Sequence, residues 1–325
     1  MSYKILIPQY VPEDSIHRLY ELGCEVITDG GCSREELIAS ADDCDAIIAR
    51  TAPYTREVLE AAKKLKIIAR YGVGVDNIDL KAAAELGIWV SNTPFSNLIS
   101  VAEHTVGMLL ALAKNFCITD LELRQGNFAI RNSVTGSDLE GKTIGLIGMG
   151  RIGTMVAKKC LYGLDMKVIA YDPFLPPDKV PAGVELLSDW DYVFKSADVI
   201  SMHLPLNDST RGIVGAKEFS MMKKSAYFIN CARGGVVNEA ELVKALKTGE
   251  IAAAGLDVYE HENPGKENPL YRLKNTLLTP HTASFTHEAY YRLGVDAVKC
   301  VENVLFKGEK PVWPVNEPKH PRAAG

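Results

Sequence analysis

Paired cysteines and long apolar runs are both missing from this 325-residue sequence. Its seven cysteines are an odd number with no CxxC spacing, so neither a disulfide framework nor a metal site is expected. No segment approaches the roughly 18 to 20 consecutive apolar residues of a membrane-spanning helix. The opening MSYKILIPQY also lacks a basic leader followed by an apolar core. These absences favour a cytoplasmic protein that does not contact a membrane.

Clusters of lysine and arginine are absent as well. The formal net charge is −5, which argues against a nucleic-acid-binding surface. A small anionic ligand remains compatible with this charge, because a local basic pocket can outweigh a mildly negative total. A composition of 47% hydrophobic and 24% charged residues is typical of a soluble globular protein. The length suggests about two domains.

One segment, residues 141–172, contains a complete nucleotide-binding pattern with the sequence GKTIGLIGMGRIGTMVAKKCLYGLDMKVIAYD. Residues 143–147 are a short apolar run typical of a buried strand, and residues 152–160 have helical periodicity. Between them lies the glycine motif GMGRIG, residues 148–153. A second apolar run then ends at Asp172, 19 positions beyond the third glycine. Together these parts predict a dinucleotide-binding unit.

Each glycine of the motif has a physical reason. Gly148 permits a tight turn, Gly150 lets a pyrophosphate approach the backbone, and Gly153 lets the helix lie close to the strand. The first helical turn, with Arg151 and Ile152, offers backbone N–H groups to the phosphates. The alternative is an ordinary strand–turn–helix connection, which the agreement of all the parts disfavours.

Asp172 predicts which nicotinamide cofactor is bound. Its carboxylate can accept hydrogen bonds from both hydroxyls of the adenosine ribose, and it would repel a 2′-phosphate. The residues that follow it, PFLPP, provide no cation to hold such a phosphate. The sequence therefore favours NAD over NADP.

Strands alternate with helices through the first 95 residues, which predicts a parallel sheet covered on both faces. In the second half, polar residues stand where predicted strands end, and ligands bind at that edge of such sheets. These residues are Asp172, His203, Arg233, Asp257 and His281. We predict an α/β protein with two doubly wound parallel-sheet domains, of Rossmann and flavodoxin-like type, and a cleft between them. The predicted domains are 1–98 with 288–325, for the substrate, and 99–287, for NAD.

A glycine-rich loop, RYGVGVDNID at residues 70–79, follows a predicted strand of the first domain. Two glycines separated by one residue can turn successive backbone N–H groups toward an anion. A plain glycine-rich turn into the next helix explains the loop equally well, so the residues alone leave both interpretations open.

Residues 97–128 are predicted to form a long apolar helix and a second helical piece. Such a surface favours packing against a second copy of the chain, and hence a homodimer, although an internal bridge would use the same residues. Glu103 and His104 lie side by side in this segment. Because adjacent residues on a helix point in different directions, we interpret both as structural or interfacial.

Three residues of the second half have chemistry suited to a hydroxy acid. The guanidinium of Arg233 can grip a carboxylate through paired N–H bonds. The imidazole of His281 can exchange a proton with a reacting oxygen, and a carboxylate such as Glu262 would favour its protonated form and fix its tautomer. For Arg233, His281 and Glu262, the ordinary alternatives are a surface ion pair, a loop cap and a solvated loop position, respectively.

These features occur together in one known family. The motifs YGVGVDNID, VAEHTVGMLLAL, GLIGMGRIG, NCARGGVVNE, GLDVYEHENP and TPHTAS resemble the D-isomer-specific 2-hydroxyacid dehydrogenases over essentially the whole chain. The resemblance implies hydride transfer between NAD and C2 of the substrate, with Arg233, Glu262 and His281 as the catalytic residues. Asn263 stands where the family usually has proline, so Glu260 is the alternative to Glu262.

The resemblance also implies binding roles for other residues. Backbone groups of Val73 and Gly74 would bind the substrate carboxylate, and Asp257 would meet the nicotinamide amide. His203, Pro205 and Thr210 would flank the adenosine. The cofactor contacts are expected to include Cys231, Arg233 and His281 as well. The Cys231 thiol is interpreted either as oxidation-sensitive or as a small buried side chain.

Substrate identity is the least determined property. Arg50 and Arg70 can place positive charge for a phosphorylated substrate, and a surface salt bridge explains each equally well. We expect a substrate of the 3-phosphoglycerate or glycerate/hydroxypyruvate type. The alternative function is a non-catalytic NAD-sensing scaffold of the corepressor type, although no low-complexity partner-binding segment is visible. Because the sequence ends at Gly325, feedback control by serine through an appended domain is not expected.

Overall fold

The computed structural model describes residues 2–28 and 30–323 of the chain. The chain forms two compact units, the first made of Met1–Asn97 and Phe285–Gly325 and the second of Leu98–Ser284. Each unit contains its own sheet. Across the described ranges, no helix has the length and apolar character needed to cross a membrane, and no metal-binding cluster of acids, histidines and cysteines is found.

The first unit is built on five short parallel strands. They are β1 (Lys4–Leu6), β2 (Glu25–Ile27), β3 (Ala46–Ala49), β4 (Ile67–Arg70) and β5 (Trp89–Ser91). Their order in the sheet is β2-β1-β3-β4-β5. The helices that connect them are α1 (Glu13–Glu21), α2 (Arg34–Ala41), α3 (Arg56–Ala61) and α4 (Leu80–Glu85).

Both faces of this sheet are buried. Along β3, Ile47 packs into one apolar core and its neighbour Ile48 into another, because successive side chains of a strand point to opposite faces. The two cores explain why the central strands read as unbroken apolar runs rather than as an alternating pattern.

The second unit has a seven-stranded parallel sheet. Its strands are β6 (Thr143–Ile147), β7 (Lys167–Tyr171), β8 (Val184–Leu186), β9 (Val199–Met202), β10 (Tyr227–Asn230), β11 (Ala253–Leu256) and β12 (Thr276–Leu278). The helices are α5 (Leu98–Ala113), α6 (Phe116–Arg124), α7 (Arg151–Gly163), α8 (Trp190–Ser196), α9 (Ala216–Met221) and α10 (Glu239–Thr248). The order β12-β11-β10-β9-β6-β7-β8 reverses its direction of growth between β6 and β9. Such a switch point creates a ligand-binding crevice at the carboxyl ends of the strands.

The predicted α/β class with two parallel sheets is confirmed. The long helix and second helical piece predicted for residues 97–128 are also found, as α5 and α6, and they are separate because Asn115 between them takes a left-handed conformation with φ of 56°. The proline-rich segment after Asp172 leads to the edge strand β8, which is too short to give a periodic signal in the sequence.

The last helix, α11 (His287–Lys307), returns to the first unit and packs against α1. The two helices meet at Gly294 and the buried Ser15. A Cβ atom on Gly294 would lie 2.0 Å from Oγ of Ser15 and 2.4 Å from its Cβ. The hydroxyl of Ser15 donates a hydrogen bond of 2.6 Å to the carbonyl oxygen of Pro12, so its position is fixed. Only glycine allows this approach.

We therefore expect Gly294→Ala to lower the free energy of unfolding by about 1 to 3 kcal/mol through overpacking. The control is Gly163→Ala at the end of α7, where a Cβ would meet no atom within 4 Å, and its effect should stay within about 0.5 kcal/mol. Urea denaturation followed by circular dichroism measures both. Equal stabilities for the two variants would contradict the close packing of α1 and α11.

Candidate functional site

The turn that follows β6 can be made only with glycine. Gly148 has a φ of 96°, and a Cβ there would lie 2.8 Å from the carbonyl oxygen of His203. A Cβ on Gly153 would lie 2.3 Å from the carbonyl oxygen of Gly148. The first glycine therefore permits the turn, and Gly153 lets α7 start directly against the strand end, as the motif predicts.

The N-terminus of α7 is open toward the carboxyl edge of the sheet. Gly150 is its N-cap residue, and no side-chain hydrogen bond caps the helix. A Cβ on Gly150 would meet nothing within 4 Å in the described structure. The first-turn backbone, including Arg151 and Ile152, together with the dipole of a 13-residue helix, suits a bound pyrophosphate.

Asp172 follows β7 and is held by the backbone on both oxygens. Oδ2 accepts a hydrogen bond of 2.8 Å from the N–H of Met149, and Oδ1 accepts one of 2.9 Å from the N–H of Phe174. A carboxylate has about four acceptor positions, so both oxygens keep capacity for a ribose diol. The glycine turn, the helix N-terminus and this acid together fit the pyrophosphate and ribose of a dinucleotide.

Three further predicted cofactor residues lie beyond β9. His203 follows the strand directly, and its Nε2 lies 3.0 Å from Oγ of Ser201. Desolvation of the ring lowers the pKa of His203 to about 4, so this histidine is neutral at physiological pH. Thr210 donates a hydrogen bond of 2.6 Å to the carbonyl oxygen of Pro205, which fixes the loop that contains both.

Cys231 is a buried thiol. Its Sγ lies 3.7 Å from Sδ of Met108 on α5, and burial raises its pKa to about 12. The thiolate is the species that reacts with oxidants. Of the two interpretations of Cys231, the structure therefore favours a small apolar side chain over an oxidation-sensitive one.

His281 and Glu262 form a direct pair. Nδ1 of His281 lies 2.8 Å from Oε1 and 2.9 Å from Oε2 of Glu262. The backbone of His281 has a φ of 53°, a left-handed conformation that is costly for a residue other than glycine. Despite the extra Asn263, it is Glu262 that faces the imidazole, whereas the backbone N–H of Glu260 is bound by Oε2 of Glu239.

The loop that contains Arg233 is fixed by Asn230, the last residue of β10. The amide of Asn230 donates to the carbonyl oxygen of Arg233 at 2.9 Å and accepts from the N–H of Ala232 at 3.0 Å. Next in the chain, a Cβ on Gly234 would lie 1.7 Å from the carbonyl oxygen of Tyr259. The arginine loop therefore lies directly against the segment that leads to Glu262.

Asp257 is fully buried at the end of β11. Its Oδ1 accepts hydrogen bonds from the hydroxyl of Thr279 at 2.5 Å and the N–H of Thr282 at 2.8 Å, and its Oδ2 accepts one from the N–H of Ala283 at 2.9 Å. The carboxylate thus binds the turn that contains His281. Its contact with the nicotinamide amide stays a prediction.

His104 belongs to this group, which sequence reasoning did not detect. Its Nε2 lies 3.0 Å from Oγ1 of Thr279 and 3.6 Å from Oδ1 of Asp257. The neighbouring Glu103 instead accepts a surface hydrogen bond of 3.1 Å from Lys159. Asn230 and Glu239 were also missed, since nothing in the sequence separates a strand-end amide or a first-turn acid from their many ordinary counterparts.

In the first unit, the two candidate arginines contact backbone carbonyls and aromatic rings. Arg50 donates a hydrogen bond of 2.7 Å to the carbonyl oxygen of Tyr10, and its guanidinium carbon lies 5.2 to 5.6 Å from the ring centres of Tyr71, Phe285 and Tyr290.

Arg70 is buried, and its Nη1 donates to the carbonyl oxygen of Tyr71. Arg50 is therefore the better placed of the two to meet a ligand.

The glycine-rich loop of the first unit is bound by the two residues that directly follow β5. Asn92 donates a hydrogen bond of 2.8 Å to the carbonyl oxygen of Val73, and the N–H of Gly72 donates to the hydroxyl of Thr93 at 2.9 Å. Within the described part of the chain, the N–H groups of Val73 and Gly74 donate to no backbone acceptor. They suit the predicted anion site.

Comparison with known proteins agrees with this geometry. The model of the D-isomer specific 2-hydroxyacid dehydrogenase NAD binding domain matches residues 106–283. The D-3-phosphoglycerate dehydrogenase of Methanocaldococcus jannaschii is 44% identical over 98% of this chain, which spans only 60% of that protein's length. The hydroxypyruvate reductase of Thermotoga maritima is 41% identical over 85% of this chain and 89% of its own.

Solved structures show the same relationship. The TT0316 protein from Thermus thermophilus superposes with a TM-score of 0.89 at 35% identity, over 96% of this chain and 99% of its own. The glycine turn, the acid after β7 and the residues at the strand ends thus lie on a fold that these proteins share. The chain belongs to the D-isomer specific 2-hydroxyacid dehydrogenase family, and residues 106–283 match that family's NAD-binding domain.

Proposed function

We propose that this chain transfers a hydride between NAD(H) and C2 of a small D-2-hydroxy or 2-keto acid, of the 3-phosphoglycerate or glycerate/hydroxypyruvate type. The observation that carries the proposal is the contact between His281 and Glu262, in the same unit as the Gly148 turn and Asp172. The names of the relatives support this substrate class. The bound cofactor supplies or accepts the hydride, and the protein positions and polarises the substrate.

In this proposal His281 moves the proton. The Nδ1–H of His281 donates a hydrogen bond to the Glu262 carboxylate, which fixes the ring orientation and leaves Nε2 of His281 to face the substrate. When a keto acid is reduced, Nε2 gives its proton to the carbonyl oxygen as C2 receives the hydride. When the hydroxy acid is oxidised, Nε2 takes the hydroxyl proton as the hydride leaves.

Anionic groups of the substrate require cations and N–H donors. We propose that Arg233 binds the carboxylate and polarises the adjacent carbonyl, since a guanidinium binds planar anions through paired donors. In the first unit, which we propose to be the substrate-binding domain, the N–H groups of Val73 and Gly74 suit the same kind of anion. We propose that Arg50 binds a further anionic group such as a phosphate, because aromatic contacts hold its guanidinium without neutralising the charge.

The most direct test measures NADH oxidation with glyoxylate, hydroxypyruvate, pyruvate and phosphohydroxypyruvate. We expect turnover with hydroxypyruvate or phosphohydroxypyruvate to exceed that with pyruvate, because Arg50 adds positive charge. Replacing His281 by Ala should lower kcat by roughly 10²- to 10⁴-fold, the typical contribution of general acid–base catalysis, and should change NADH affinity little.

His261→Ala is the matched control, because this exposed histidine adjoins Glu262 in the chain, and its kcat should remain that of the wild type. Equal losses of turnover and NADH affinity in His281→Ala would contradict the proton-transfer role. NADH binding without turnover on any of the four acids would favour the non-catalytic NAD-sensing scaffold instead.

We also propose that Asp172 makes NAD the preferred cofactor. Asp172→Asn removes the charge that would repel a 2′-phosphate and keeps a side-chain oxygen as acceptor. We expect weaker NADH binding, by roughly tenfold or about 1.4 kcal/mol, and a smaller preference over NADPH in fluorescence titration. The control is Asp178→Asn on the exposed part of the same segment. An unchanged NADH/NADPH ratio in Asp172→Asn would refute the assignment.

The predicted homodimer has support from the surface of α6. No residue of this helix is buried, and four large apolar side chains are exposed on it and just after it: Phe116, Leu121, Leu123 and Phe128. Single exposed apolar residues are ordinary, but four large ones within 13 residues, on and beside a helix with no buried position, favour an interaction surface. We propose that a second copy of the chain covers it.

A Leu121→Asp, Leu123→Asp double variant places charge on this surface and should shift the mass measured by light scattering from that of two chains to that of one. The fold should be preserved, because both side chains are exposed. A wild-type chain that is monomeric at high micromolar concentration would refute this dimer surface.

A further inference from the structure

The hydrogen bonds around Asp257 define the protonation of a second histidine. The hydroxyl of Thr279 has a single proton, and the 2.5 Å contact with Oδ1 of Asp257 uses it. A carboxylate cannot donate in return, so the hydroxyl oxygen must act as acceptor toward its other partner. That partner is Nε2 of His104 at 3.0 Å, and Nε2 of His104 therefore carries a hydrogen.

The Asp257 carboxylate also binds the backbone of the turn just after His281. Its two oxygens bind the N–H groups of Thr282 and Ala283, while the carbonyl oxygen of Asp257 accepts a hydrogen bond of 2.8 Å from the N–H of His281. The left-handed backbone of His281 costs on the order of 1 to 3 kcal/mol and persists only where its surroundings impose it. Asp257 supplies that constraint.

His104, Thr279 and Asp257 form a series of hydrogen bonds, and His104 is its outermost member. It lies on α5, its side chain is 23% exposed, and the Asp257 side chain behind it is completely buried. A buried carboxylate must have its acceptor positions satisfied. The N–H of His104 polarises the Thr279 hydroxyl and makes it a stronger donor to Asp257, because hydrogen bonds in series reinforce one another.

We propose that His104 is a positioning residue for His281. His104 acts through Thr279 and Asp257 to hold residues 279–283 in the conformation that places the His281 imidazole against Glu262. This inference deepens the proposed function, and its effect on turnover rests on that function. His104 on α5 would thus help to align the proton donor His281.

The test compares two variants of His104. His104→Leu removes the N–H, whereas His104→Gln places an amide N–H near the original Nε2 position. The matched control is Glu103→Gln, one position earlier on the same helix, whose side chain meets Lys159 at the surface. Thr279→Val, alone and combined with His104→Leu, completes a double-mutant cycle.

Two readouts are required. The first is the ¹H and ¹⁵N resonances of the His281 ring in the protein without substrate, which report its hydrogen bond to Glu262. The second is kcat, compared with the dissociation constant of NADH. We expect His104→Leu to shift the His281 resonances and to lower kcat by roughly 10- to 100-fold, the penalty typical of small misalignments. His104→Gln should restore most of both, and Glu103→Gln should change neither.

In the cycle, the double variant should lose no more than the more impaired of the two single variants, because both changes break one series of bonds. Unchanged His281 resonances in His104→Leu would overturn the inference, and so would a His104→Gln variant as impaired as His104→Leu. If the wild-type protein turned over no 2-keto acid, the proposed function would fail, while the resonances would still decide whether His104 positions His281.

Discussion

The site depends on one buried carboxylate. Asp257 has no accessible surface, and its two oxygens accept hydrogen bonds from a hydroxyl and two backbone N–H groups. Leaving such a charge unsatisfied would cost several kcal/mol, so the turn after β12 has little freedom to take another path. That constraint keeps His281 in an otherwise unfavourable backbone conformation and brings its ring to Glu262. The geometry on which catalysis would depend is thus imposed by the backbone and not by the imidazole itself.

The parallel sheet of the second unit supplies the remaining order. Because its seven strands are parallel, all of their carboxyl ends lie along one edge, and the direction of growth reverses between β6 and β9. The glycine turn after β6 and Asp172 after β7 thereby come to the same edge as the loops that contain Arg233 and His281. The parallel arrangement of the strands is therefore enough to bring residues that are far apart in the chain to the same edge of the sheet. In this way a fold with a general nucleotide-binding turn can also present a specific set of side chains, here a carboxylate, an imidazole and a guanidinium.

The features that could be predicted from the sequence are those whose physical causes are local. The glycine turn and Asp172 lie within one strand–helix–strand segment, and the parallel α/β class follows from alternating strands and helices. His104 was interpreted as structural or interfacial, because it and Glu103 are adjacent on a helix and point in different directions. Its partner Thr279 is 175 positions away, and a helix position gives no sign of so distant a contact. The aromatic rings around Arg50 come from equally distant segments. The choice between Glu262 and Glu260 likewise needed coordinates, since only the path of the loop decides which acid faces the imidazole.

If the Asp257-bound turn presents His281 to the reacting atoms, a crystal structure of the protein with NAD and oxalate, an unreactive analogue of a 2-keto acid, will show that arrangement. We expect Nε2 of His281 to lie within hydrogen-bond distance of an oxalate oxygen beside the nicotinamide, with Nδ1 still bound to Glu262. An imidazole that points away from the oxalate, or a turn at residues 279–283 that has left Asp257, would contradict it.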